Sequence, residues 1–272
     1  MAGVQWFPGH MKKAERMMQD SLKLVDVVCE VVDLRIPMAS RNPDLDEIIA
    51  GRKPRLLILN RADQADPAVT AKWRDYYRGQ GVQFMECDAN SGRGVKNFSQ
   101  ALRAVREKTG IMRAMVVGVP NVGKSTFINK VSRRKTAAAS DRPGVTRGKQ
   151  WVTVDEHLEL LDTPGILWPK FDDPQVGYML AFTGAVKDDV LDTEDLAARL
   201  LVTLRDNYPD ALAQRYKIQP DPELQGWELL EACARGRGFL MARGEVNTER
   251  MAAVLLDEFR GGKLGRISLE QP

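Results

Sequence analysis

Residues 118–125 read GVPNVGKS, and the residue types in that octapeptide suit the holding of a polyphosphate. The pattern GxxxxGK[ST] lies between an apolar run at 114–119 and a helix-compatible stretch, TFINKVSRR. Backbone N–H groups of such a loop, together with the start of the helix, converge on α- and β-phosphate oxygens. Asn121, Val122, Gly123, Lys124, Ser125 and Thr126 are the expected phosphate contacts, with Lys124 reaching the β/γ oxygens and Ser125 ligating Mg²⁺. Further on, LLDTPGIL (160–167) puts Asp162 at a strand end, where a carboxylate behind the metal belongs. Gly165 would then offer its N–H to the γ-phosphate. Between the two, SDRPGVTRG (140–148) is a polar loop whose Thr146 would complete the Mg²⁺ shell, a set of hard oxygen donors.

Two stretches nearer the N-terminus suit a purine. NRAD (60–63) follows the apolar run RLLIL and resembles the NKxD motif, in which the aspartate accepts both N1–H and N2–H of guanine. Adenine offers no such donor pair, so Asp63 would discriminate by being left buried and unpaired with the wrong base. Arg61 replaces the usual lysine, its stem still able to pack along the base. DANSGRG (88–94) resembles the second guanine loop, where the Ala89 N–H meets O6, with Asp88 in place of the usual serine. Asn60, Arg61, Asp63 and Ala89 form the expected guanine-binding set. An ATP-using protein would require Asp63 to be incidental.

The elements that must position these residues follow from hydrophobic patterning. Apolar runs at 25–33, 55–60, 82–87 and 114–119 are separated by helical stretches such as 67–79 and 95–107. Near-continuous apolar strands alternating with helices indicate a mostly parallel, doubly wound sheet covered on both faces. KQWVTVD (149–155) and HLELLD (157–162) are joined too tightly for a helix and predict a hairpin with one antiparallel edge. Ala14, Met17, Met18, Ser21, Leu22 and Val25 predict an amphipathic helix before the first strand. Each base-reading motif precedes the phosphate loop, the reverse of the Ras-like order, yet each lies at a strand end, where such a sheet binds its ligand. A circular permutation of the sheet explains both facts.

After about residue 175 the strands stop. Thr193 is the expected N-cap of a helix with Ala197, Leu200, Leu201 and Leu204 inward; Asn247 is expected to cap another, with Met251, Val254, Leu255 and Phe259 inward and Gly261-Gly262 at its end. The expected organisation is a sheet domain at 1–175 and a small all-α domain at 176–272. The chain's 272 residues, 43% hydrophobic and 28% charged, fit a soluble globular protein. No apolar run approaches the roughly 18 to 20 residues that span a bilayer. The opening residues lack a signal-peptide block, and Glu15 and Asp20 argue against a transit peptide. Cys29, Cys87 and Cys233 form no CxxC pair, which suggests buried thiols in a reducing compartment, the cytoplasm. The net charge of +3 is unevenly placed: residues 1–174 hold 28 basic and 21 acidic side chains, residues 175–272 hold 12 and 16. The late cluster Arg235, Arg237, Arg243, Arg260, Lys263 and Arg266 reads either as a solvated face or as a contact for RNA phosphates.

The opening QWFPGHM, VVDLRIP with Asp33 and Arg35, the permuted motif order and the ending DEFRGGKLGRISLE together resemble the ribosome biogenesis GTPase A family of circularly permuted GTPases. The resemblance covers essentially the whole chain. It implies binding of GTP and GDP, and GTP hydrolysis coupled to late assembly of the large ribosomal subunit. It further implies a C-terminal helical domain that contacts ribosomal RNA; off the ribosome the protein is expected to be a monomer.

Ile166 stands where Ras-like GTPases place the glutamine that orients the attacking water, and it can do no such work. The family carries a hydrophobic residue there. The resemblance implies that His10, in the FPGH tail, takes the glutamine's role once the ribosomal subunit orders that tail. His157, the other histidine, falls at the hairpin turn. Asn121 stands where potassium-dependent GTPases use an asparagine to ligate K⁺ beside the phosphates, supplying charge that an arginine finger otherwise provides. A second reading, a nucleotide-gated RNA-binding scaffold with negligible turnover, draws support from Ile166; His10 and Asn121 favour the enzyme. Thr146 and Ile166 are the expected switch residues, and γ-phosphate contacts at Gly165 are expected to reposition the helical domain.

Overall fold

The computed structural model describes residues 11–49, 51–132, 150–165, 173–186, 188 and 192–272. Within them, β1 (Val27–Asp33), β2 (Arg55–Asn60), β3 (Phe84–Glu86), β4 (Met112–Val117), β5 (Gln150–Asp155) and β6 (Leu158–Asp162) form one sheet in the order β3-β2-β1-β4-β6-β5. All neighbours are parallel except β5 and β6, the expected antiparallel hairpin. The chain winds from β1 out to β3, returns to place β4 on the other flank of β1, and then winds away through β6. Its switch point therefore lies between β1 and β4, and the carboxyl ends of five strands open on one edge. Permuted order and ordinary sheet are thus compatible, because parallel strands need only right-handed crossovers and not a fixed starting point.

Period-2 alternation explains the two covered faces. Ala114 and Val116 of β4 pack with Val27, Cys29 and Val31 of β1 under α4 (Phe98–Val105) and α5 (Lys124–Ser132). Met115 and Val117 point the other way, with Val28, onto Met18 and Leu22 of α1 (Met11–Leu22) and onto α2 (Asp44–Ile49). Trp73 and Tyr77 of α3 (Pro67–Gly79) cover Val32, Leu57 and Leu59. Glu30 interrupts the apolar run of β1 and is buried; Arg41 and Arg55 face its carboxylate, each at 3.3 Å. Burial still dominates and pushes the carboxyl above its usual range.

The second part is helical: α6 (Pro174–Phe182), α7 (Thr193–Asn207), α8 (Pro209–Tyr216), α9 (Gly226–Gly236) and α10 (Thr248–Arg260). Asn247 caps α10, accepting the Arg250 N–H at 2.9 Å. The cap of α7 lies one residue earlier than expected, at Asp192, whose carboxylate takes the N–H groups of Glu194 and Asp195. An aspartate there combines a hydrogen bond with a favourable charge at the helix dipole, so it outcompetes Thr193. Leu200, Leu204, Leu230, Met251 and Leu255 make the helical core, which is continuous with that under the sheet. The last residues do not stay with the helices. After Gly262, at φ +70°, the chain crosses back over the sheet unit, burying Leu264 and Ile267 there.

Candidate functional site

The phosphate loop leaves β4 at Gly118 and enters α5 at Lys124. Its backbone is set by Asn121 and Gly123, both left-handed at φ +58° and +96°. Glycine is required at 123 because a Cβ there would sit 2.4 Å from Asn60 Nδ2. Lys124 is buried, and its ammonium folds across the loop to donate to the Val119 carbonyl at 2.8 Å. Burial lowers its pKa to about 8, with Asp162 opposing the shift. A lysine so placed is a cation short of anions, and phosphate oxygens are the counter-charge that fits.

Asp162 ends β6, in register with Val116 of β4. Ser125 Oγ donates to its Oδ2 at 3.3 Å, while the buried Oδ1 has no hydrogen-bond partner among the described residues. Burial raises the carboxyl's pKa, against the pull of Lys124, Ser125 and the Thr163 N–H. A hydroxyl and a carboxylate converging on one point, with a buried oxygen left over, fit the hard-oxygen preference of Mg²⁺. Next to it, Thr163 Oγ1 donates to the Val116 carbonyl at 2.7 Å and ties the DTPG turn to β4. Gly165 then lies against the loop: a Cβ there would come within 2.7 Å of Pro120 Cα and 2.9 Å of Lys124 Nζ.

The base-reading loops reach the same edge from β2 and β3. Asn60 Nδ2 donates to the Val122 carbonyl at 2.8 Å, and its Oδ1 accepts the Ala89 N–H at 3.0 Å. This side chain thus joins three loops instead of facing outward. The Ala89 N–H, expected to meet guanine O6, is here engaged by Asn60. Arg61, at φ +60°, donates to the Asn121 carbonyl at 3.1 Å and brings Nε to 3.5 Å from Asp33 Oδ2. The replacement of the usual lysine therefore has a structural use, since the rigid guanidinium presents separate nitrogens to the carbonyl and the carboxylate. Asp63 is exposed on the same loop. Asp88 caps the second loop through the N–H groups of Asn90 and Ser91, at 2.9 and 3.2 Å, the task a serine hydroxyl performs more weakly.

The structure brings together Asn60, Arg61, Asp63, Ala89, Asn121, Val122, Gly123, Lys124, Ser125, Thr126, Asp162 and Gly165 on one sheet edge. Val122 is buried and contributes its carbonyl. Asn121 Nδ2 donates to the Gly184 carbonyl at 2.8 Å, linking the phosphate loop to the turn after α6. His10, Thr146 and Ile166 lie outside the described residues. Sequence reading did not foresee the supporting layer. Arg35 grips Asp33 through Nε and Nη2, at 2.9 and 2.7 Å, and donates to the Phe259 carbonyl at 3.1 Å. With Arg61 nearby, these contacts hold the Asp33 carboxyl below its usual range despite burial, which is the largest influence and acts the other way.

A sequence profile described as "50S ribosome-binding GTPase" matches residues 113–223, a span holding the phosphate loop but neither Asn60–Asp63 nor Asp88–Ala89. The chain is 48% identical to "Ribosome biogenesis GTPase A" of Priestia megaterium, over 99% of this chain and 97% of that protein. It is 31% identical to the protein of the same name from Thermotoga maritima, over 99% and 95%. Among solved structures it resembles "GNP-bound YlqF from T. maritima", with 30% identity, a TM-score of 0.71, and 96% and 98% of the two chains covered.

Proposed function

The chain belongs to the ribosome biogenesis GTPase A family, a group of GTPases acting in ribosome assembly, and on that premise we propose how its residues carry out the reaction and on what. The reaction is hydrolysis of GTP to GDP and phosphate, with the Mg²⁺ dependence of that class. Ser125 and Asp162 are the described residues that would hold Mg²⁺, with Thr146 completing the shell, and the ion would supply positive charge against the phosphates. Lys124 and the loop N–H groups bind the phosphates. Asp63 reads N1–H and N2–H of guanine, and Arg61 and Asn60 hold its loop against the phosphate loop. Water attacks the γ-phosphorus as the bond to the β,γ-bridging oxygen breaks, and Gly165 N–H steadies the γ oxygens. His10 orients the water in place of Ile166. Asn121, whose carboxamide nitrogen meets the Gly184 carbonyl, would hold K⁺ beside the phosphates, where the ion would supply further positive charge.

The target is the large ribosomal subunit, bound through its RNA, and the matched profile's description supports that choice. Two units do the work: the sheet unit at 1–175 and the helical unit at 176–272, whose last residues return to the first. No helix among the described residues is long and apolar enough to cross a membrane. The site of action is the cytoplasm, and the protein is a monomer away from the ribosome. The scaffold reading is disfavoured, because the relatives are named as GTPases.

The observation that carries this reading is the convergence of Asp63, Lys124 and Asp162 on one edge from opposite sides of the switch point. The test is GTP turnover in K⁺ buffer, with and without purified large subunits, for wild type and His10→Ala. Strong stimulation of the wild type alone, with GTP binding kept by the variant, is the expected result. Equal stimulation of both would remove His10 from the mechanism.

A further inference from the structure

The strap after α10 makes contacts that nucleotide hydrolysis by itself does not require. Arg266 Nη2 donates to the Ala62 carbonyl at 2.9 Å and its Nε to the Ala65 carbonyl at 2.8 Å. The Ile267 N–H donates to the Gln64 carbonyl at 2.8 Å, and the Asp66 N–H to Ser268 Oγ at 3.1 Å. Three carbonyls and one amide of the loop Ala62–Asp66 are thus engaged by residues about 200 positions away. Asp63 sits among them, exposed, between the two carbonyls that Arg266 spans. Within the loop, the Ala62 N–H goes to the Cys87 carbonyl and the Gln64 N–H to Arg61.

The strap is itself firmly seated. Its Leu269 N–H donates to the Arg35 carbonyl at 2.8 Å, and Glu270 accepts the N–H groups of Met38 and Ala39 at 2.7 and 2.9 Å. Trp73 Nε1 reaches the Glu270 carbonyl at 3.3 Å, and Leu264 and Ile267 are buried beneath. A loop fixed to such a support has lost its conformational freedom before any base arrives, which lowers the entropic cost of binding. The guanidinium's planar fork fixes the directions of both bonds together, whereas a lysine's rotatable ammonium on its flexible stem fixes neither.

We infer that Arg266 and the strap around it are a positioning element for guanine specificity: they hold the Asp63 loop so that its carboxylate meets the base edge. The inference rests on the reading of Asp63 given above. Arg266 touches no nucleotide in this account. Loosening it should weaken the aspartate's contacts more than the phosphate contacts, so its signature is lost discrimination and not merely lost affinity.

The experiment measures dissociation constants of the full chain for GDP and for inosine diphosphate, which lacks the 2-amino group. It covers wild type, Arg266→Lys, Arg266→Ala, Asp63→Ala and the double variant Asp63→Ala/Arg266→Ala, each with its thermal midpoint. Wild type should prefer GDP, and Asp63→Ala should abolish the preference. Each Arg266 variant should weaken GDP binding by about tenfold, the scale of a lost charge-assisted hydrogen bond, and inosine diphosphate by clearly less. In the double variant the arginine change should remove no further preference. Arg266→Lys keeps the charge and supplies the answer if Arg266→Ala fails to fold. An undiminished preference in the Arg266 variants, with Asp63→Ala losing it, overturns the positioning role alone. A preference that survives Asp63→Ala overturns the reading of Asp63, and this inference with it.

Discussion

Asn60 and Val122 lie 62 residues apart in the chain and are joined by a 2.8 Å hydrogen bond from the asparagine amide to the loop carbonyl. The same side chain accepts the Ala89 N–H, so one residue fixes the spacing between the base-reading loops and the phosphate loop. Guanine and its phosphates are joined through the ribose, so their two subsites must stand at a distance that the nucleotide can bridge. A site built from two separated stretches of chain needs such a tie to match that span without paying for it at binding.

Asn60→Asp keeps the shape and replaces the donor facing Val122 with an oxygen. A buried carbonyl then meets a carboxylate, at a cost of about 2–4 kcal/mol by the usual penalty for unmatched buried groups. GDP affinity is expected to fall by at least tenfold and the thermal midpoint to drop, both measurable on one preparation by calorimetry. Wild-type affinity in the variant would show that the tie does not set the site.

Lys124 gives a pH dependence with a definite sign. Burial holds its ammonium at about 8 against a usual 10.5. Bound phosphates return the value toward or above the usual one. Between those limits the free protein carries a neutral amine and the complex an ammonium, so GDP binding takes up a proton. Affinity should fall as pH rises through that window, by up to about tenfold per unit, and be flat in this respect below it. For folding the sign is opposite: the unfolded chain holds the proton more tightly, so this group adds stability as pH rises from about 8 to 10.5. Titration calorimetry in buffers of different ionisation heat measures the uptake directly. A proton count of zero at about pH 9, inside that window, would contradict either the lowered value or the phosphate contact.

Gly165→Ala adds a methyl that collides with Pro120 backbone at 2.7 Å and with Lys124 Nζ at 2.9 Å. The lysine end can shift, but the Pro120 backbone cannot without moving the loop. GTP turnover should fall on the order of a hundredfold, the scale of one lost transition-state hydrogen bond. GDP, having no γ-phosphate, should lose far less, and single-turnover hydrolysis beside a GDP titration separates the two. Equal losses for both nucleotides would make Gly165 a packing residue only.

The fold was legible because each signal it depends on is local. Apolar runs gave the strands, the tight joint at Glu156-His157 gave the hairpin, and motifs at strand ends gave the shared edge. Asn247 was legible as a cap for the same reason. The supporting layer was not legible, because its signals are distant pairings with no period. Nothing in the spacing of Ala62 and Arg266, 204 residues apart, announces a hydrogen bond. Glu30 within an apolar strand is similar: its partners Arg41 and Arg55 come from different elements. The motif places Asn60 at the base, whereas both ends of its amide are engaged by backbone groups of two loops, a distinction only three-dimensional placement makes.

One edge, assembled from both sides of the switch point, is proposed to hydrolyse GTP selectively. Steady-state phosphate release from GTP and from ATP, by wild type and by Asp162→Ala, tests it most directly, with GDP affinity measured alongside. Release from GTP and not from ATP is the expected result. In the variant a fall on the order of a hundredfold is expected with GDP still bound, as the proposed place of Asp162 is beside Ser125 and Mg²⁺ and not at the base. Equal release from both nucleotides, or undiminished release by the variant, would contradict the proposal.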